Sequence, residues 1–172
     1  MFNQKVRDAM NDQIQRELES AYIYLSMAAY FDSISLPGMA QWMRSQFQEE
    51  QFHAFKFYDY IGDRGGRVVL QPIGQPPVEF ESPLDVFEKT LAHEQKVTGF
   101  INDLYALAIA EKDFASQMFL NWFVEEQVEE EKTANDIIDV LKRIGDNGHA
   151  LIMLDKELGQ RQFAAAAEAE AE

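Results

Sequence analysis

At 172 residues and 47% hydrophobic content, the chain has the size and apolar fraction of a single globular domain and is too hydrophobic to be disordered. Asp and Glu number 30 against 15 Lys and Arg, a formal charge of −15 that argues against nucleic acid as a partner and is compatible with attracting cations. Cys is absent, which excludes disulfides, thiolate zinc sites and cysteine-ligated iron–sulfur clusters. No stretch approaches the roughly 20 apolar residues of a membrane span, and Asp8 and Asp12 interrupt any signal-like run. A soluble, cytoplasmic protein is expected.

The first predicted helix runs from about Asn3 to Ser33, with Val6, Met10, Ile14, Leu18, Ala21, Leu25 and Ala28 as its apolar stripe. Pro37-Gly38 breaks it. A second runs from about Met39 to Asp63, with Met43, Phe47, Ala54, Phe57 and Ile61 in phase, and stops at Gly65-Gly66. Residues 65–82 contain Pro72, Gly74, Pro76 and Pro77 and read as an extended crossover. Ser82-Pro83 opens a third helix through Leu84, Phe87, Leu91, Ile101 and Ala108. Asp113 caps a fourth through Leu120, Phe123, Ala134, Ile137 and Leu141 to Gly145. A short fifth is expected from His149 to about Phe163, striped by Leu151, Leu154 and Leu158. Two hairpins joined by one long crossover make an all-α, four-helix bundle.

Glu50 and His53 are three residues apart and project from one face of the second helix, within reach of a common ion. Alone, such a pair is a weak signal, since Glu-x-x-His occurs by chance in many helices and reads more often as an ordinary solvated face. Glu17, Glu94, Gln127 and Glu130 fall near the midpoints of the other three helices, each on an inward stripe. In an antiparallel bundle those midpoints share one level, so the acids converge inside. None of Glu17, Glu50, Glu94 and Glu130 has a Lys or Arg three or four residues away. Uncompensated buried carboxylates are costly, and two divalent cations would balance four of them. The oxygen-rich set with one imidazole suits Fe(II) or Mn(II) better than copper or structural zinc, with Glu50 as the natural bridge. Tyr24, on the face of Glu17, and Trp122, one turn from Glu126, are placed to supply an electron; the alternative reading of both is as core aromatics.

Glu17 with Tyr24, the segment Glu49-Glu50-Gln51-Phe52-His53, Glu94, and the run Trp122 to Glu131 closely resemble bacterial and archaeal non-haem ferritins. So does Leu154-Asp155-Lys156-Glu157-Leu158. The resemblance implies a ferritin-like di-iron domain over residues 1–163, a four-helix bundle with a short fifth C-terminal helix, followed by an Ala/Glu-rich tail at 164–172 expected to be disordered. It implies that Glu17, Glu50 and His53 bind one iron, and Glu50, Glu94 and Glu130 the second. Gln127 matches a nearby polar residue of that centre. Glu49, Glu126, Glu129 and Glu130 match a third iron site toward a cavity. The implied activity is that of a ferroxidase: Fe(II) is oxidised by O2 or H2O2 and stored as a ferric mineral. The implied assembly is a homo-oligomeric 24-subunit cage whose four-fold axes are lined by the fifth helix.

Two departures stand out. Bacterioferritins carry a second Glu-x-x-His and a methionine haem ligand; here the second motif reads Gln127-x-x-Glu130 and Gln51 replaces the methionine, so no haem is expected. Animal ferritins line their three-fold channels with acids, whereas the matching positions here are Gln117 and Leu120. The alternative function is a di-iron oxidase or oxygenase acting on an organic substrate within the same bundle.

Overall fold

Capping side chains set where most of the helices begin. α1 (Gln4–Ser33) starts where the Asn3 side chain accepts the Lys5 and Val6 amides at 2.9 and 3.3 Å. α3 (Pro83–Ala110) starts where Ser82 accepts the Asp85 amide at 3.1 Å, with Pro83 at the first helical position. Asp113 accepts from Ser116 at 3.2 Å to open α4 (Phe114–Ile144), and Asn147 accepts from Ala150 at 3.1 Å to open α5 (Gly148–Leu158). α2 (Pro37–Asp63) is different. Leu36 offers no side-chain cap, and the Met39 amide instead donates to Asp155 Oδ1 of α5 at 2.8 Å. This computed structural model describes residues 2–163, all-α throughout; the expected disorder of 164–172 concerns residues outside that range.

α1 packs along α2 and α3 along α4, the two hairpins meeting through α1 and α3, with α5 laid mainly against α2. The crossover 65–82 is extended, and Gly65 leaves α2 with a positive φ of 71°. None of the described helices is long and apolar enough to cross a membrane.

Three local expectations are corrected. α2 begins at Pro37, not Met39, because proline suits a first helical position; Gly38 is required in that first turn because a Cβ there would meet the Asp155 carbonyl oxygen at 1.7 Å. α5 ends at Leu158 rather than near Phe163, with Gly159 at its C-cap. Leu18 is only half-buried and Leu25 is exposed. Steps of four residues overshoot a helical turn by about 40°, so that stripe drifts off the core face, which Gln13, Ser20 and Tyr24 occupy instead.

The core is divided in two. One apolar cluster gathers Phe31, Met39, Trp42, Met43, Phe87 and Leu141; the other gathers Met10, Ile14, Phe57, Ile61, Ile101, Leu120 and Phe123. On every long helix the mid-helix polar residues fall between the two clusters. A polar layer is thereby sealed at both ends by hydrocarbon.

Candidate metal centre

Each long helix contributes to that layer from its middle, where neither helix end can supply a compensating dipole. Glu17, Glu50, His53, Glu94, Gln127 and Glu130 are all buried there, together with Glu49. Single ligand atoms of Glu17, Glu50 and His53 lie within 4.8 Å of one another, and His53 Nδ1 stands 3.5 Å from Glu50 Oε2. Glu17 Oε2, Glu50 Oε2 and His53 Nε2 are buried without a hydrogen-bond partner. Unpartnered oxygens of Glu17 and Glu50 beside the His53 ring fit a cation, because they carry lone pairs that the fold leaves unused.

Four other carboxylate oxygens of this layer are held by neutral donors. Gln13 donates to Glu17 at 2.9 Å, and Gln46 donates to Glu130 at 2.9 Å. The Tyr24 hydroxyl donates to Glu94, and Gln127 Nε2 reaches Glu94 Oε2 at 3.3 Å. Among the described residues, no Lys or Arg is bonded to any of these four acids. Burial, reinforced by the charge of neighbouring acids, pushes the Glu50 carboxyl well above the ordinary range. Burial likewise raises Glu17 and Glu94 to about 7 and Glu130 to about 8. It lowers His53 to about 3, helped by the charge of Lys56, so the imidazole is neutral and available as a ligand. Tyr24 is pushed far up by burial and by the adjacent acids, and stays a phenol.

A second cluster adjoins the first. Ligand atoms of Glu49, His53 and Glu126 also lie within 4.8 Å of one another, so His53 belongs to both groups. A pocket of about 190 Å³ is lined by Glu49, Glu126, Glu129, Glu130, Thr133 and Arg161. Among the described residues the structure thus groups Glu17 and Glu50 with His53, and Glu49 with His53 and Glu126, while Glu130 and the exposed Glu129 line the pocket. Glu94 belongs to neither ligand group, although its charge bears on Glu50. Trp122 packs edge-on to His53 with centroids 5.3 Å apart, and Lys56 Nζ sits 4.2 Å over its ring. Leu120 is completely buried in the apolar core, so it contributes nothing to a channel wall; Gln117 is half-buried and donates to Tyr105.

Several participants had not been singled out. Gln13 and Gln46 lie four residues before Glu17 and Glu50, a spacing that did signal a shared helix face. His93 faces Ser20 at 2.7 Å and stands edge-on to Tyr24, beside Glu94. Arg161 donates to Glu49 Oε2 at 2.6 Å across 112 residues of sequence, and no local spacing announces it.

Fold and site together define a four-helix bundle built around a buried carboxylate–imidazole cluster. A family model for the ferritin-like domain matches residues 7–144. The chain is 45% identical over 163 residues to a bacterial non-heme ferritin of Staphylococcus saprophyticus, covering 95% of this chain and 98% of that one. It is 42% identical, with the same coverage, to a bacterial non-heme ferritin of Staphylococcus aureus. Among solved structures, an open-pore ferritin of the archaeon Archaeoglobus fulgidus superposes with a TM-score of 0.93 at 51% identity, covering 94% of this chain and all of that one. A form of that ferritin engineered to be closed superposes at 0.94. The chain belongs to the ferritin family.

Proposed function

We propose that this chain is an iron-storage ferritin that oxidises Fe(II) at the buried centre and deposits Fe(III) as a mineral inside a 24-subunit cage. One observation carries the reading: four carboxylates are buried together beside a neutral imidazole, and no Lys or Arg among the described residues is bonded to them. Two Fe(II) ions supply the missing positive charge. Glu17, Glu50 and His53 hold the first, and Glu50, Glu94 and Glu130 the second, with Glu50 common to both. Gln13 and Gln46 orient Glu17 and Glu130. Tyr24 and Gln127 orient Glu94, and Tyr24 is also an oxidisable side chain in contact with the centre.

The acids, protonated in part by their burial, release protons as the cations enter. Two Fe(II) ions give up two electrons. Dioxygen takes them with two protons to become hydrogen peroxide, and hydrogen peroxide takes them with two protons to become two waters. Glu49, Glu126, Glu129 and Glu130 then accept the iron on its way to the cavity. The names borne by the bacterial relatives support the storage role.

Stopped-flow absorbance with oxygen uptake, at two Fe(II) per chain, tests this. Glu50→Ala should slow oxidation by about 100-fold or more, the upper end of losses when a metal site's partners are disturbed. Glu49→Ala should leave the fast phase intact and change the iron-to-oxygen ratio. Wild-type protein no faster than buffer would refute the function. Equal damage from both variants would refute the division between the pair and the pocket.

A further inference from the structure

Among the described residues lining the acidic pocket, Arg161 is the one cation, and it comes from the segment after α5. Its Nη2 donates to Glu49, its guanidinium lies 4.7 Å from the Trp42 ring centroid, and its backbone carbonyl accepts from Ser45 Oγ at 3.2 Å. The segment is closely docked: a Cβ on Gly159 would meet Gly38 Cα at 3.0 Å, and the Phe163 ring packs 5.7 Å from Phe52. Docking at both ends aims the guanidinium at Glu49. Its Nη1 is nevertheless buried with no hydrogen-bond partner, so the fit of the side chain to its surroundings is incomplete. Glu49 is also in the ligand cluster with His53 and Glu126, and His53 belongs to the pair as well. A cation leaving the pair therefore meets Glu49 while Arg161 holds it.

We propose that Arg161 is a displaceable counter-ion: a divalent cation entering the pocket takes Glu49 from Arg161, and this competition makes the pocket a site of passage rather than a trap. Four carboxylates without an internal cation would bind a divalent ion tightly and release it slowly. With Arg161 present, the incoming ion must break a charge-assisted hydrogen bond and approach a like charge. Arg161 acts here as a positioning residue for Glu49 and takes no part in the oxidation. The inference rests on the pocket receiving metal, as in the function proposed above.

The test is calorimetric titration of metal-free protein with Zn(II), which binds without redox chemistry, in wild type, Arg161→Gln and Arg161→Lys. In Arg161→Gln the pocket step should tighten roughly 10- to 100-fold, the equivalent of one hydrogen bond to a charged group, while the pair step stays within about twofold. Arg161→Lys, which keeps the charge and loses the fork, should fall between. A Trp122→Phe background isolates Trp42 emission, which should shift as Zn(II) fills the pocket with Arg161 present and not in Arg161→Gln. Unchanged or weaker pocket binding in Arg161→Gln overturns the proposal, as does wild-type Trp42 emission indifferent to pocket filling. Should Arg161→Gln fail to fold, the wild-type emission decides. Absence of the pair step in wild type would count against the proposed function, while the pocket step still judges Arg161.

Discussion

A carboxyl group placed in hydrocarbon keeps its proton until something positive arrives, and the centre is assembled from such groups. Unfolded, the acids have the ordinary glutamate value of 4.5; folded, burial raises Glu17 and Glu94 to about 7 and Glu130 to about 8, with Glu50 also well above the ordinary range. Between those limits the unfolded chain has shed protons that the folded chain retains. The contribution of these groups to stability is complete below 4.5 and is lost as the pH rises through 7 to 8. Metal-free protein should therefore melt at lower temperature as the pH is taken from about 5.5 to about 8.5, and Glu50→Gln should flatten that slope. Zn(II) should raise the melting temperature more at the alkaline end, where fewer protons must be displaced. Calorimetric scans check both. A metal-free melting temperature that climbs across this window, or a slope that Glu50→Gln leaves unaltered, would show that the acids are not held protonated by the fold.

The start of α2 depends on α5. Leu36 provides no cap, so the Met39 amide is satisfied by Asp155 from 116 residues away. Asp155→Ala should leave that buried amide unpaired, a loss of about 1–3 kcal/mol, and speed hydrogen exchange in residues 148–158 by about 10- to 100-fold. Exchange in α3 and α4 should be unaffected; α5 exchanging at the wild-type rate would sever the proposed dependence. Gly38→Ala should act in the same direction, since its Cβ would collide with the Asp155 carbonyl. Contacts of this kind mark the limit of what is legible in the sequence. Ser82, Asp113 and the mid-helix acids were legible because capping and helical periodicity are local rules. The convergence of Glu17, Glu50, Glu94 and Glu130 was legible because antiparallel helices of similar length bring their midpoints together. Asp155 on Met39, Arg161 on Glu49 and His93 on Ser20 were not, because each pairing is set by tertiary docking. Leu25 was misplaced on the core face because a four-residue repeat is not a true helical period.

Apolar side chains that the single chain leaves uncovered occur on all four long helices, on the crossover and on α5. Leu70 and Val78 are exposed on the crossover, Phe114 and Met118 on the first turns of α4, and Ile152 and Met153 on α5. Exposed apolar groups in several places suit a chain that meets several neighbours through different faces, as a closed symmetric shell requires. Opposing this, each chain carries a formal charge of −15, so like-charged subunits repel until salt screens them. We expect multi-angle light scattering at micromolar concentration to show 24 copies of the 19.8 kDa chain, about 475 kDa, with the assembled fraction rising as salt is added. Ile152→Lys should lower that fraction at every salt concentration, because it replaces an apolar contact on α5 with a charge that association would desolvate. The fast oxidation phase at two Fe(II) per chain should persist in this variant, since the residues proposed to hold both ions are buried within a single bundle. Mineral retention should fail, since an unclosed shell has no interior. Monomer or dimer at every salt concentration in the wild type would leave the centre standing and remove the cage.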